Sequence, residues 1–67
     1  MEEEHYMATY CIGGTEVRLF DSSGRTAGAY GMHTIIAPAA LGPIWFAFLT
    51  ESGLYCINAK TGQTRCV

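Results

Sequence analysis

The sequence predicts an all-β fold: a small antiparallel meander or open barrel of about five strands, with at most one short helical turn. Three observations lead to this prediction. A Gly13-Gly14 pair separates two segments that alternate in polarity, which is typical of a hairpin. Residues 44–49 are wholly apolar and have the length of a buried strand. Short turns containing glycine then divide the C-terminal third of the chain.

The first predicted hairpin joins residues 5–12 to residues 15–20, and a two-residue loop at Gly13-Gly14 places Ala8 opposite Leu19. Cross-strand partners share a face of the sheet. We therefore expect one apolar face, made of Tyr6, Ala8, Tyr10, Ile12, Val17 and Leu19. The opposite face is mixed and carries Met7, Thr9, Cys11, Glu16, Arg18 and Phe20.

The middle of the chain is rich in small residues. Residues 21–24 have Asp first and Gly last, as a type I turn prefers. Residues 26–32 predict an edge strand or irregular extended chain, because their two glycines weaken a strand, and residues 33–36 predict a short strand. Residues 38–42 begin with proline and end with glycine, which predicts one helical turn.

Residues 44–50 are the strongest predicted strand, and both of its faces are apolar. Such a strand lies at the centre of a sheet or against a partner. A loop at residues 51–53 leads to a returning strand at 54–58, and a turn at 59–62 precedes a closing strand at 63–67.

The register of the last hairpin decides whether Cys56 and Cys66 meet. A four-residue loop at residues 59–62 places the two thiols on opposite faces, whereas a five-residue loop brings them opposite each other. Residues 53–62 are similar to the strand and turn of a quinoprotein-type β-propeller repeat. The resemblance covers ten residues and implies the hairpin in this part of the chain.

Length and composition predict one β domain over residues 1–67. Hydrophobic residues make up 49% of the chain and charged residues only 15%, so more apolar surface is present than one small core can bury. We expect the excess to be covered by a protein partner or by a second copy of the chain. The acidic run Glu2, Glu3 and Glu4 predicts a frayed N-terminus or a contact for a basic partner.

Charge and cysteine usage narrow the function classes. The basic residues Arg18, Arg25, Lys60 and Arg65 are scattered, which argues against direct nucleic-acid binding. Residues 26–50 are uncharged, but their glycines and prolines argue against a membrane span. Three cysteines without a signal peptide predict a reducing, cytoplasmic location.

Possible metal ligands are few and widely spaced. Structural zinc sites have ligand pairs two to four residues apart, and no such pair occurs among the candidates His5, His33, Cys11, Cys56 and Cys66. We expect the cysteines to be small buried hydrophobes or half-exposed thiols, and His33 to be a structural residue. No motif predicts a catalytic residue, a cofactor site or a metal site.

The aromatic residues predict how the chain contacts a partner. Phe46 and Phe48 are expected in the core, and Trp45 faces the other way on the same strand. Candidate contact residues are Trp45, Phe20, Met7, Tyr55, Glu2, Glu3 and Glu4.

These observations favour a non-catalytic protein-binding module. Chains of this size often act as stoichiometric inhibitors of a cellular complex, or of a host complex when a virus encodes them. Two alternatives remain: a structural homo-oligomer that completes its β-sheet between subunits, and a metal-binding domain using Cys and His.

Overall fold

The computed structural model describes residues 5–67, and this part of the chain contains seven strands and no helix. In chain order, the strands are β1 (Met7–Thr9), β2 (Glu16–Phe20), β3 (Thr26–Gly31), β4 (Ile35–Leu41), β5 (Trp45–Thr50), β6 (Gly53–Asn58) and β7 (Thr64–Cys66). Strands β1–β3 form one antiparallel sheet and β4–β7 a second, each in sequence order. The all-β antiparallel meander is therefore confirmed, with seven strands rather than about five and with two open sheets. Glu2, Glu3 and Glu4 lie outside the described residues.

The first hairpin has the predicted pairing of Ala8 with Leu19, but its turn lies one residue earlier than expected. The amide of Gly14 donates to the carbonyl of Cys11 over 2.9 Å, so Ile12 and Gly13 occupy the centre of the turn. The φ of Gly13 is +87°, which glycine adopts without strain at this position. Ile12 is consequently at the tip of the hairpin and 61% exposed, so its prediction on the apolar face is wrong.

The helical turn predicted at residues 38–42 is wrong, because this segment belongs to β4. β4 is an edge strand of the four-stranded sheet, and an edge strand tolerates proline because it pairs within its sheet on one side only. Its pairing with β5 is interrupted twice, between Ile35 and Ala37 and again between Pro38 and Ala40. Proline is thus accommodated in an irregular edge strand.

The inner faces of the two sheets meet in one core. β2 contributes Val17 and Leu19, and the other members of the cluster are Ile35, Phe46, Phe48, Ile57 and Ala59. The ring of Tyr10 meets that of Phe48 edge to face, with centroids 5.0 Å apart. Buried Thr50 satisfies its hydroxyl by donating to the carbonyl of Gly53 over 2.7 Å.

One side of the molecule is closed by backbone hydrogen bonds between the sheets. Ile35 exchanges two with the first hairpin's turn: its amide donates to Gly14 over 2.9 Å, and its carbonyl accepts from Gly13 over 2.8 Å. The amide of Tyr6 also donates to the carbonyl of Pro43 over 3.2 Å. On this side the backbone continues from one sheet to the other. Residues 5–67 include no helical segment that could span a bilayer.

Candidate partner-binding surface

β5 separates the core of the protein from an exposed apolar surface. Phe46, Phe48 and Thr50 are buried on its inner face, while Trp45 is 48% and Leu49 38% exposed on its outer face. The alternation follows from the period of two in a strand. Ala47, between these two on the outer face, is buried but lies outside the core cluster. The outer face of β5 thus forms a small apolar centre of its own.

The neighbouring strands extend this apolar surface. On β4, Ala37 pairs with Leu49 and Ala40 with Ala47. On β6, Leu54 pairs with Leu49 and Cys56 with Ala47. Leu54 in turn exchanges two backbone hydrogen bonds, of 3.1 and 2.9 Å, with exposed Val67. We call the resulting surface the outer patch; its members are Ala37, Ala40, Trp45, Ala47, Leu49, Leu54, Cys56 and Val67.

Polar residues border the outer patch at one end and one edge. Asn58 pairs with Trp45, and its side-chain oxygen accepts from the amides of Lys60 and Thr61, each over 3.0 Å. Arg65 pairs with Cys56 on the edge strand β7. An apolar centre with a polar rim is the composition found at protein interfaces.

The other predicted contact residues lie elsewhere. Met7, 57% exposed, pairs with half-buried Phe20 on the outer face of the three-stranded sheet. That face is mixed, since Arg18 and Glu16 lie on it with Nε and Oε1 3.7 Å apart. Tyr55 belongs to the inner face and packs against the core. The structure therefore separates Trp45 from Met7 and Phe20, and it adds Leu49, Leu54 and Ala37 to Trp45.

The sequence carried a partial signal for the outer patch. The two apolar faces of residues 44–50 indicated a strand that is central or lies against a partner, and β5 is central. The position of Ala37 on this surface was not predicted, because residues 38–42 were expected to form a helical turn rather than to continue strand β4.

A second feature is a cleft of about 260 Å³ where the end of β3 approaches β6 and β7. It is lined by Gly31, Met32, His33, Thr50, Ser52, Gly53, Leu54, Tyr55 and Cys66. His33, which was expected to be a structural residue, is exposed and lines this cleft. The cleft is smaller than most ligand pockets, which measure about 300–1,000 Å³.

Of the two registers considered for the last hairpin, the structure has the one with a four-residue loop at residues 59–62. Cys56 pairs with Arg65, and Cys66 pairs with Tyr55, so the two thiols lie on opposite faces. Cys11, Cys56 and Cys66 are all free. Among residues 5–67, no three His, Cys, Asp or Glu side chains are grouped so as to hold a metal ion. The described residues therefore supply no cluster for the metal-binding alternative.

Asp21 organises the turn between β2 and β3. Its Oδ1 accepts from the hydroxyl of Ser23 over 2.6 Å and from the amides of Arg25 and Ser23 over 3.0 and 2.9 Å. These hydrogen bonds, that of the Ser23 hydroxyl first, hold the pKa of the carboxyl below its ordinary value. The lowered pKa is thus a consequence of the hydrogen bonds within the turn. The same hydrogen bonds confirm the turn expected at residues 21–24.

Comparison with known proteins finds no matching family model, no matching curated protein and no matching solved structure. The function is therefore inferred from the fold and from the surfaces described above.

Proposed function

We propose that this chain is a small non-catalytic protein-binding module and that the outer patch is its contact surface. The observation that carries the proposal is the exposure of Trp45 and Leu49 on one continuous apolar sheet face. Contiguous exposed apolar surface is uncommon on a monomer and typically marks an interaction site. Tryptophan is also among the residues that most often dominate binding energy.

The patch suits a partner that offers an apolar groove or face. Its central side chains are neutral, so we expect burial of apolar area rather than charge pairing to supply most of the affinity. Arg65 at the edge then favours an acidic group on the rim of the partner. Such a contact requires no chemical step in this chain.

A module of this kind acts stoichiometrically, by occupying or blocking a surface of its partner. An inhibitor of a cellular or host complex is the form of this function that we favour. The three free cysteines support a reducing compartment such as the cytoplasm.

The experiment is a quantitative capture with the tagged chain. We expect a defined protein to co-purify with the wild type and to be lost at least about tenfold from the double variant Trp45→Ser/Leu49→Ser, because hot-spot side chains carry most of the binding energy. Met7→Ser is the matched control, since Met7 is exposed on the other outer face.

The captured protein is then purified and titrated against the chain. Trp45 is the single tryptophan, so its emission should shift to shorter wavelength as the partner excludes water from it. Equal capture by the double variant and the wild type, or an emission spectrum unchanged at saturation, would contradict the proposal.

A further inference from the structure

The edges of the two sheets differ in how well they are protected against pairing with another chain. Edge strands β1 and β7 are only three residues long, and β4 is interrupted by Pro38 and two irregularities. β3 is six residues long and contains neither a charge nor a proline, and its one irregularity lies near its start, where Leu19 pairs with Gly28 but Phe20 with Thr26. Short strands, prolines and bulges are the devices that block edge-to-edge pairing, and β3 has least of them.

The register shows which backbone groups β3 presents at its open edge. The amide of Met32 donates to its register partner Thr15 over 2.9 Å, which identifies a hydrogen-bonded pair. Pairs alternate along an antiparallel ladder, so Tyr30 and Gly28 also bond to β2. The amides and carbonyls of Ala29 and Gly31 therefore point away from β2. Both residues are exposed, and the described chain supplies these groups with no hydrogen bond.

We propose that β3 pairs antiparallel with β3 of a second copy, in a two-fold register centred on Tyr30. In this register Ala29 lies opposite Gly31 of the copy, and all four outward groups of each strand are used in four hydrogen bonds. Tyr30 lies opposite Tyr30 of the copy as a pair without backbone bonds, and each ring remains over Gly28 of its own strand. The two three-stranded sheets become one six-stranded sheet.

Charge complementarity selects the second copy and this register. On the outer face, Arg18 pairs with Ala29 and Glu16 pairs with Gly31. One row of side chains crosses the dimer on this face. It begins with Arg18 and Ala29 of the first chain and continues with Gly31 and Glu16 of the copy. The two-fold axis generates a second, equivalent row in the opposite direction. The two small residues leave space for the long side chains to approach each other. A register centred on Ala29 would instead place Arg18 in the same row as Arg18 of the copy.

The interaction is expected to be weak, because one strand pair buries less area than a standard interface. The charged ends of each row are separated by three strand spacings, or about 14 Å, so salt should screen their attraction.

The experiment measures the solution mass of the pure chain by light scattering from low micromolar to millimolar concentration at low ionic strength. We expect the mass to rise from 7.3 kDa toward twice that value, and the midpoint to move to higher concentration when salt is added. Ala29→Pro removes an outward amide without removing a bond to β2, and should keep the chain monomeric.

Charge exchange provides the second, fold-preserving test. Glu16→Lys and Arg18→Glu should each shift the midpoint to higher concentration, because each places like charges in both rows. The double variant Glu16→Lys/Arg18→Glu should restore the wild-type midpoint. Leu49→Ser should leave it unchanged, since this residue belongs to the proposed partner surface. A wild-type chain that stays monomeric throughout, or a double variant that fails to recover, would overturn the proposal.

Discussion

Two glycines of β3 have opposite surroundings, although they are only three residues apart. A Cβ atom on Gly28 would lie 2.7 Å from the hydroxyl oxygen of Tyr30 and 2.9 Å from its ring carbon Cε1. A Cβ atom on Gly31 would meet no atom closer than 4.0 Å. The ring of Tyr30 lies over Gly28 and also packs against the core, so it has little freedom to move. Gly28 is therefore required by packing.

We expect Gly28→Ala to lower the free energy of unfolding by about 1–3 kcal/mol, the usual cost of overpacking. Gly31→Ala is the control on the same strand, and it should change stability by no more than about 1 kcal/mol. Urea denaturation of both variants at low micromolar concentration, where we expect the chain to be monomeric, checks this. Equal stability of the two variants would contradict the described position of Tyr30.

Residue type alone could not predict every exposure. Ile12 and Val17 were both expected on one apolar face, but Ile12 is at the hairpin tip whereas Val17 is fully buried. The difference depends on a shift of the turn by one residue, and Gly13-Gly14 is compatible with either position. The alternation within β2 was predictable because it depends only on the period of the strand.

At the scale of the element, β5 has two apolar faces with different surroundings. Phe48 is fully buried and contacts the ring of Tyr10, whereas its neighbour Leu49 lies on the outer patch. The surroundings of the two faces explain why polar and apolar residues do not alternate in residues 44–50. One face is covered by the other sheet, and the second face is the outer patch, which we propose as the contact surface.

Phe48→Ala should lower the free energy of unfolding by about 3–5 kcal/mol, because it leaves a cavity in the core. That cost is comparable with the total stability expected for a chain of this length, about 3–10 kcal/mol, so the cooperative transition should be largely lost. Leu49→Ala, one residue away, should change stability by only about 0.5 kcal/mol. Chemical denaturation followed by circular dichroism measures both, and a similar loss in the two variants would contradict the assignment of faces.

β4 shows where prediction from local signals fails. Proline at the start and glycine at the end of residues 38–42 match a helical turn, yet the segment pairs with β5. Tertiary context prevails because an edge strand tolerates proline, and because the two irregularities absorb the mismatch with β5. Without the position of β5, nothing in the five residues distinguishes the two outcomes.

At the scale of the whole molecule, the surplus of apolar residues has a location. The composition predicted more hydrophobic surface than one core can bury. The structure leaves Trp45, Leu49 and Val67 exposed on the outer patch, and it leaves Met7, Ile12, Ile36 and Leu41 exposed outside it. The sequence could also predict antiparallel hairpins, since each depends on neighbouring segments. It could not predict that Trp45 and Met7 lie on different sheets, because the division into two sheets depends on long-range packing of β2 against β5 and β6.

The most direct measurement of the central claim is hydroxyl-radical footprinting of the chain with and without its captured partner. Trp45 and Met7 are both oxidised readily and are similarly exposed on the two outer faces, so each serves as the control for the other. We expect the partner to protect Trp45 and Leu49 strongly while oxidation of Met7 is unchanged. Protection of Met7 with Trp45 still reactive would place the partner on the three-stranded sheet, and the outer patch would then not be the contact surface.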